Sequence, residues 1–195
     1  MAQQTINVGT GNDSNNGDPL RTAGIKINDN FTELYTLHQP TPRFGVYNYD
    51  NTLSPLTVVA TTWTTIPNNA LGTDTLTTGG LTGVDIYNPL TSQFDYSGLS
   101  VFDSIDYVLK CIVNTSAVNQ EVKIRLLVGV GTLDIPLEFS ETAHKAAGAH
   151  SLTVFLQNHL FTNAIKSAPA EIQIWSEAAC TLDVRGWYVK ASKRV

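Results

Sequence analysis

Apolar side chains recur at every second position through Ser104–Asn114 and again through Glu121–Val128. In the first stretch Ile105, Tyr107, Leu109, Cys111 and Val113 alternate with Asp106, Val108, Lys110 and Ile112. In the second, Val122, Ile124, Leu126 and Val128 alternate with Glu121, Lys123, Arg125 and Leu127. Successive side chains of a strand point to opposite faces, so this period marks both stretches as strands and names the face each one buries. The segment Asn114–Gln120 between them reads as the connection of a hairpin.

Further strands are expected at Leu56–Ile66, Gly83–Tyr87, Leu133–Phe139, His150–Gln157, Glu171–Trp175 and Thr181–Ala191, giving about eight in all. Ser140–Ala149 has room for a turn of helix at most, and the glycines of Gly129-Val130-Gly131 suit a tight turn between strands. The expected fold is mainly β: a single N-terminal helix followed by an eight-stranded jelly-roll-like sandwich over residues 45–195. The second faces of several strands are also apolar, at Val108, Ile112, Leu127, Phe155, Trp175 and Trp187. A lone sandwich does not need them, and symmetric association would bury them.

Ahead of the sandwich the period changes to 3.6. Leu20, Ala23, Gly24, Ile27, Phe31, Leu34, Tyr35 and His38 fall within an arc of about 120° on a helix, and Arg21, Lys26, Asp29 and Glu33 fall outside it. Asp18 suits the N-cap and Pro19 the first helical position. Pro40 and Pro42 stop the helix and make a semi-rigid separator. The domain boundaries are therefore 1–38 for a strand-turn-helix segment, 39–44 for a Pro-rich linker, and 45–195 for the sandwich. A stripe on a single helix is either core of its own domain or a grip on another chain. The proline break favours the second.

Composition narrows the function. Charged residues make up 15% and the net charge is −5, which offers no basic footprint for nucleic acid. The closing residues Lys190–Val195 gather positive charge and read as a solvated tail. No apolar run reaches the ~18 residues that would cross a bilayer, and the first residues carry no secretion signal. Cys111 and Cys180 belong to the buried set and read as free thiols, consistent with synthesis in a reducing cytoplasm.

The search for chemistry finds no catalytic constellation, cofactor motif or metal site. His38, His144, His150 and His159 lack ligand spacing, and His144 and His150 read as solvated loop histidines. Asp13–Asp18 resembles a calcium loop, but its glycine arrives one residue early and Gly24 takes the place of the closing glutamate. Neither Gly9-Thr10-Gly11 nor the Gly129 turn continues as a phosphate loop. The aromatic residues Tyr47, Tyr49, Trp63, Tyr87, Tyr96, Trp175 and Trp187 are candidate sugar platforms, and Trp175 and Trp187 are the candidate glycan contacts.

The opening of the chain carries one more signal. Ile6-Asn7-Val8-Gly9, Gly17-Asp18-Pro19-Leu20-Arg21, Lys26-Ile27-Asn28, Asn30-Phe31 and Glu33-Leu34-Tyr35 stand in that order. They resemble a segment that recurs in virion structural proteins of tailed bacteriophages, of the short fibre, head-fibre or decoration type. The segment Cys180–Val195 is more loosely similar to the last strand of small phage fibre domains. The resemblance implies a virion protein assembled in the host cytoplasm: a homotrimeric surface fibre or decoration subunit with its sandwich pointing outward. It implies docking on capsid or tail proteins through Leu20, Arg21, Ile27, Phe31, Leu34 and Tyr35. It also admits a tail or baseplate receptor-binding protein that recognises a host surface glycan.

Overall fold

The computed structural model describes residues 6–7, 19–38, 43–51, 53, 55–71, 74–78 and 86–193. The chain forms two compact units, Met1–Thr41 and Pro42–Val195. In the first, helix α1 (Leu20–His38) begins one residue after Pro19, whose carbonyl accepts from Ala23 N at 2.9 Å. Asp18, the turn Asp13–Asp18, the Ile6–Gly9 motif beyond Asn7, and Gln39–Pro42 lie outside the described residues.

The second unit is built from twelve strands among the described residues. These are β1 (Arg43–Asp50), β2 (Leu56–Val58), β3 (Thr64–Thr65), β4 (Asp74–Thr78), β5 (Tyr87–Asn88), β6 (Gln93–Phe94), β7 (Ser104–Thr115), β8 (Gln120–Val128), β9 (Ile135–His144), β10 (Gly148–His159), β11 (Ala170–Ser176) and β12 (Cys180–Lys193). They form two antiparallel sheets. Sheet A has the order β10-β7-β12-β1-β4, with β2 also on β12; sheet B has β5-β6-β11-β8-β9, with β3 also on β11. From β6 onward the chain changes sheet between β6 and β7, β7 and β8, β9 and β10, β10 and β11, and β11 and β12. That is jelly-roll connectivity carried by eight strands, β1 and β6 through β12, with short strands added. Of the four additions, β2 and β3 lie within the expected strand Leu56–Ile66 and β5 starts at the end of Gly83–Tyr87, while the polar β4 was not expected.

Several expectations need correction. Asn114–Gln120 is not a hairpin connection: β7 pairs with β10 and β12, while β8 pairs with β9 and β11. Alternation names a buried face but not the sheet that owns it. Leu56–Ile66 is two strands in different sheets, separated by a turn where Thr61 takes φ 57°. Ser140–Ala149 is strand on both sides of a three-residue turn, because β8 and β7 offer open backbone edges to it. A second, short helix, α2 (Asn163–Lys166), lies between β10 and β11, and Thr162 Oγ1 caps it by accepting from Ile165 N. Lys190–Lys193 belong to β12 and pair with β1, so they are no solvated tail. Arg43 and Phe44, read as linker, open β1.

The inward faces of both sheets meet in one core. Tyr96 and Tyr107 are wholly buried and share a 2.5 Å hydrogen bond between hydroxyls. Burial pushes the Tyr96 phenol up to about 12, so it stays neutral. Cys111 and Cys180 are buried and free, and burial pushes the Cys111 thiol up to about 12.

The turn from β8 to β9 depends on a glycine. Gly129 has φ +79°, and a Cβ there would lie 2.4 Å from Leu133 Cβ. Its carbonyl accepts from the backbone of Thr132, Leu133 and Asp134, which is why β9 starts at Ile135 rather than Leu133.

Candidate docking and binding surfaces

The described part of the helix stripe presents large apolar side chains to solvent. Ile27 is 42% exposed and Phe31 56%, four residues apart and hence on one face. Ile25 is 51% exposed on a neighbouring face. Arg21 is exposed. Leu20, Leu34 and Tyr35 are in the helix, but their side chains lie outside the described residues. Nothing lies within 4 Å of the position a Cβ would take on Gly24, so the helix is open there too.

Of the two candidate glycan contacts, only one reaches the surface. Trp187 is 2% exposed and sits in an aromatic cluster, 4.9 Å from Tyr87 and 5.4 Å from Phe94 between ring centroids. The reason is a bulge in β12. Val184 pairs with Cys111 and Gly186 with Lys110, leaving Arg185 as an extra residue. The buried phase therefore moves from Leu182 and Val184 to Trp187, Val189 and Ala191. Tyr87 and Tyr96 are core residues as well, while the side chains of Tyr47 and Tyr49 lie outside the described residues.

Trp175 is half-buried on the outer face of sheet B, where Lys123 Nζ lies 5.1 Å from its ring centroid. Trp63 stands one residue before Thr64, the partner of Ile174, and the Arg125 guanidinium lies 3.9 Å from its centroid. Strand pairing thus brings the two indoles to adjacent positions with a cation over each. Lys123 also contacts Glu121 at 3.2 Å and Glu141 at 3.6 Å. The hydrogen bond to Glu121 holds its ammonium above the ordinary value. Arg125 Nε donates to Gln173 Oε1 at 2.8 Å, and Gln173 Nε2 donates to Glu171 Oε1 at 2.5 Å. Burial lowers Arg125 from its usual value, partly offset by Glu171 and Asp134. The sequence reading missed Arg125 and Gln173, because only the registers of β11 with β8 and with β3 bring Arg125 to Trp63 and Gln173 to Arg125.

On the outer face of sheet A, Phe155, Val108 and Tyr188 stand in one cross-strand row over β10, β7 and β12. Phe155 is 72% exposed and Tyr188 40%. Leu127, grouped with them in the sequence reading, is buried on the other sheet, and Ile112 is half-buried.

His144 and His150 are not solvated loop residues. They lie at the facing ends of β9 and β10, and His144 is buried. Among the described residues no group of three or more His, Cys, Asp or Glu is placed to hold a metal ion, and no helix is long and apolar enough to cross a membrane.

A family model described as "Bacteriophage T4 gp9/10-like protein, N-terminal" matches residues 3–154. No curated protein matches the chain in sequence. Among solved structures the chain is similar to Eiger TNF from S. frugiperda, with a TM-score of 0.44 and 11% identity over 79% of this chain and 94% of that one. It is similar also to the PRD1 vertex protein P5, with a TM-score of 0.41 and 11% identity over 78% of this chain and 74% of that one. A third likeness is to a chain of infectious bursal disease virus, Gt strain, with a TM-score of 0.38 and 10% identity over 77% and 33%.

Proposed function

The chain belongs to the bacteriophage T4 gp9/10-like protein family, and from that membership we propose that it is a virion structural protein rather than an enzyme. In this reading it is a homotrimeric surface fibre or decoration subunit, docked on capsid or tail proteins through α1, with the sandwich aiding adhesion to the host surface. The observation that carries the docking is the exposure of Ile27 and Phe31 on one helix face. Covering the exposed half of such side chains is worth on the order of 1 kcal/mol each. Copies on one particle then add up weak contacts at the host surface.

The test is incorporation into particles. A chain carrying Ile27→Ser and Phe31→Ser keeps its circular dichroism spectrum but falls at least tenfold in purified virions, measured by mass spectrometry. Wild-type incorporation of that variant would remove the helix as anchor. A truncation beginning at Pro42 should still fold; an unfolded product would make α1 part of the core.

A second reading, a tail or baseplate receptor-binding protein recognising a surface glycan, draws support from the adjacent Trp63 and Trp175. Their rings offer stacking faces, and the exposed Glu141 carboxylate offers a partner for hydroxyls. A glycan array would reveal binding that Trp175→Ala abolishes; an array without hits leaves this reading unsupported. Trp187 has no part in it.

A further inference from the structure

We propose that the outer face of sheet A, centred on Phe155, Val108 and Tyr188, is the surface on which further copies of this chain pack. This rests on the homotrimer proposed above and names the face that makes it. Among the described residues, the other large exposed apolar side chains of the sandwich, such as Leu90, Val59 and Val118, lie in loops and turns outside the ladders, except Ile135 at the first position of β9. Scattered singly, such residues are ordinary surface. Phe155, Val108 and Tyr188 differ because the register lines them up: Phe155 pairs with Val108 and Val108 with Tyr188. The outer face of sheet B presents its aromatic rings beneath Lys123 and Arg125 instead.

Charge selects a second copy as the occupant. Asp106 and Lys190 pair across β7 and β12 in the layer next to the apolar row, with Gln157 beside them donating to Asp106 Oδ1 at 2.7 Å. About a threefold axis along the strands, residues of the same layer meet. The apolar row then meets itself, and the adjacent layer presents Asp106 of one copy to Lys190 of the next, one acid and one base per copy. An unlike partner with a charged face of a single sign would find no match in such a layer. On the other side of the apolar row, Lys110 is exposed and long enough to keep its head in water.

The experiment uses the full chain, with mass read by light scattering after gel filtration and by sedimentation velocity. The wild type runs at three times the chain mass. Phe155→Glu with Tyr188→Glu runs at one chain mass and keeps the circular dichroism spectrum of the folded chain, since both sites are exposed. Leu90→Glu, a change at an exposed turn residue, keeps the threefold mass. Asp106→Lys raises the dissociation constant at least tenfold, and adding Lys190→Asp in the same chain restores it. A wild-type trimer that survives Phe155→Glu with Tyr188→Glu overturns this assignment alone and places the contact elsewhere, as on α1. A wild type that stays single at every concentration overturns the trimer and this face together.

Discussion

His144 and His150 stack ring on ring, 4.2 Å between centroids and 26° apart, joining the end of β9 to the start of β10. His150 Nε2 lies 2.9 Å from the Ala146 carbonyl in the intervening turn, while His144 Nε2 is buried with no hydrogen-bond partner among the described residues. Across the ladders His144 is paired with Gln120 and His150 with Val113, so neither ladder sets a carboxylate opposite the stack.

Burial, followed by the proximity of His150, holds His144 below its ordinary value of 6.5. The unfolded chain therefore binds more protons as pH falls through the window below 6.5. Stability from this pair is complete above that value and is lost as pH drops through the folded one. The melting temperature should fall between pH 8 and pH 5, and His144→Phe should reduce that fall while keeping the stack. An equal fall in both proteins would remove the histidine pair as its source.

Gly129→Ala places a methyl where Leu133 Cβ already stands, at a backbone angle that disfavours any side chain. The expected loss is on the order of 3 kcal/mol, read by urea denaturation. Gly131→Ala, with nothing near its Cβ position but a φ of +72°, should lose about 1 kcal/mol.

Arg185 is the surplus residue of the β12 bulge, so its deletion should be absorbed. Val184 would then be followed directly by Gly186 and Trp187, which already pair with Lys110 and Leu109. Folded circular dichroism and a melting temperature within a few degrees of wild type are expected. Deleting Tyr188, where the ladder is regular, turns Val189 outward and Lys190 into the core and should abolish folding. Arg185→Ala removes only a partly exposed ion pair with Asp183 and should cost less than about 1 kcal/mol.

Gln120 ties two of the crossings between sheets together. Its Oε1 accepts from Ser116 N and Ala117 N, and its Nε2 donates to Ser176 Oγ and the Ala178 carbonyl. Gln120→Leu keeps the volume and orphans several of these groups, with an expected loss of about 3 kcal/mol in urea denaturation. A loss under about 1 kcal/mol would mean that water replaces the amide.

The strands most legible in the sequence were β7 and β8: the residues read as inward on both are buried, and only Leu127, read as outward on β8, departs by being buried as well. The helix was equally legible because its stripe and its proline stop are both local. What stayed hidden depends on pairing. β1 carries Gly45 and Asn48 among its apolar residues, which blurs the period until β12 lies beside it. The partnership of Trp63 with Arg125 needs two registers at once. Trp187 was misplaced for a single reason: one unpaired residue upstream reverses the parity of all that follows. Ile27 and Phe31 were readable because four residues of helix need no tertiary knowledge to bring two side chains onto one face.

The position of β12 has a kinetic corollary. It fills the slot between β7 and β1, so until it is synthesised those two strands keep bare backbone edges in the middle of a half-built sheet. Every ladder β12 forms joins it to a segment made much earlier, so the sandwich should close late and slowly. The nascent chain is then most open to wrong partners just before it is safe, and a crowded pool of unfinished chains during infection is where that exposure would be felt.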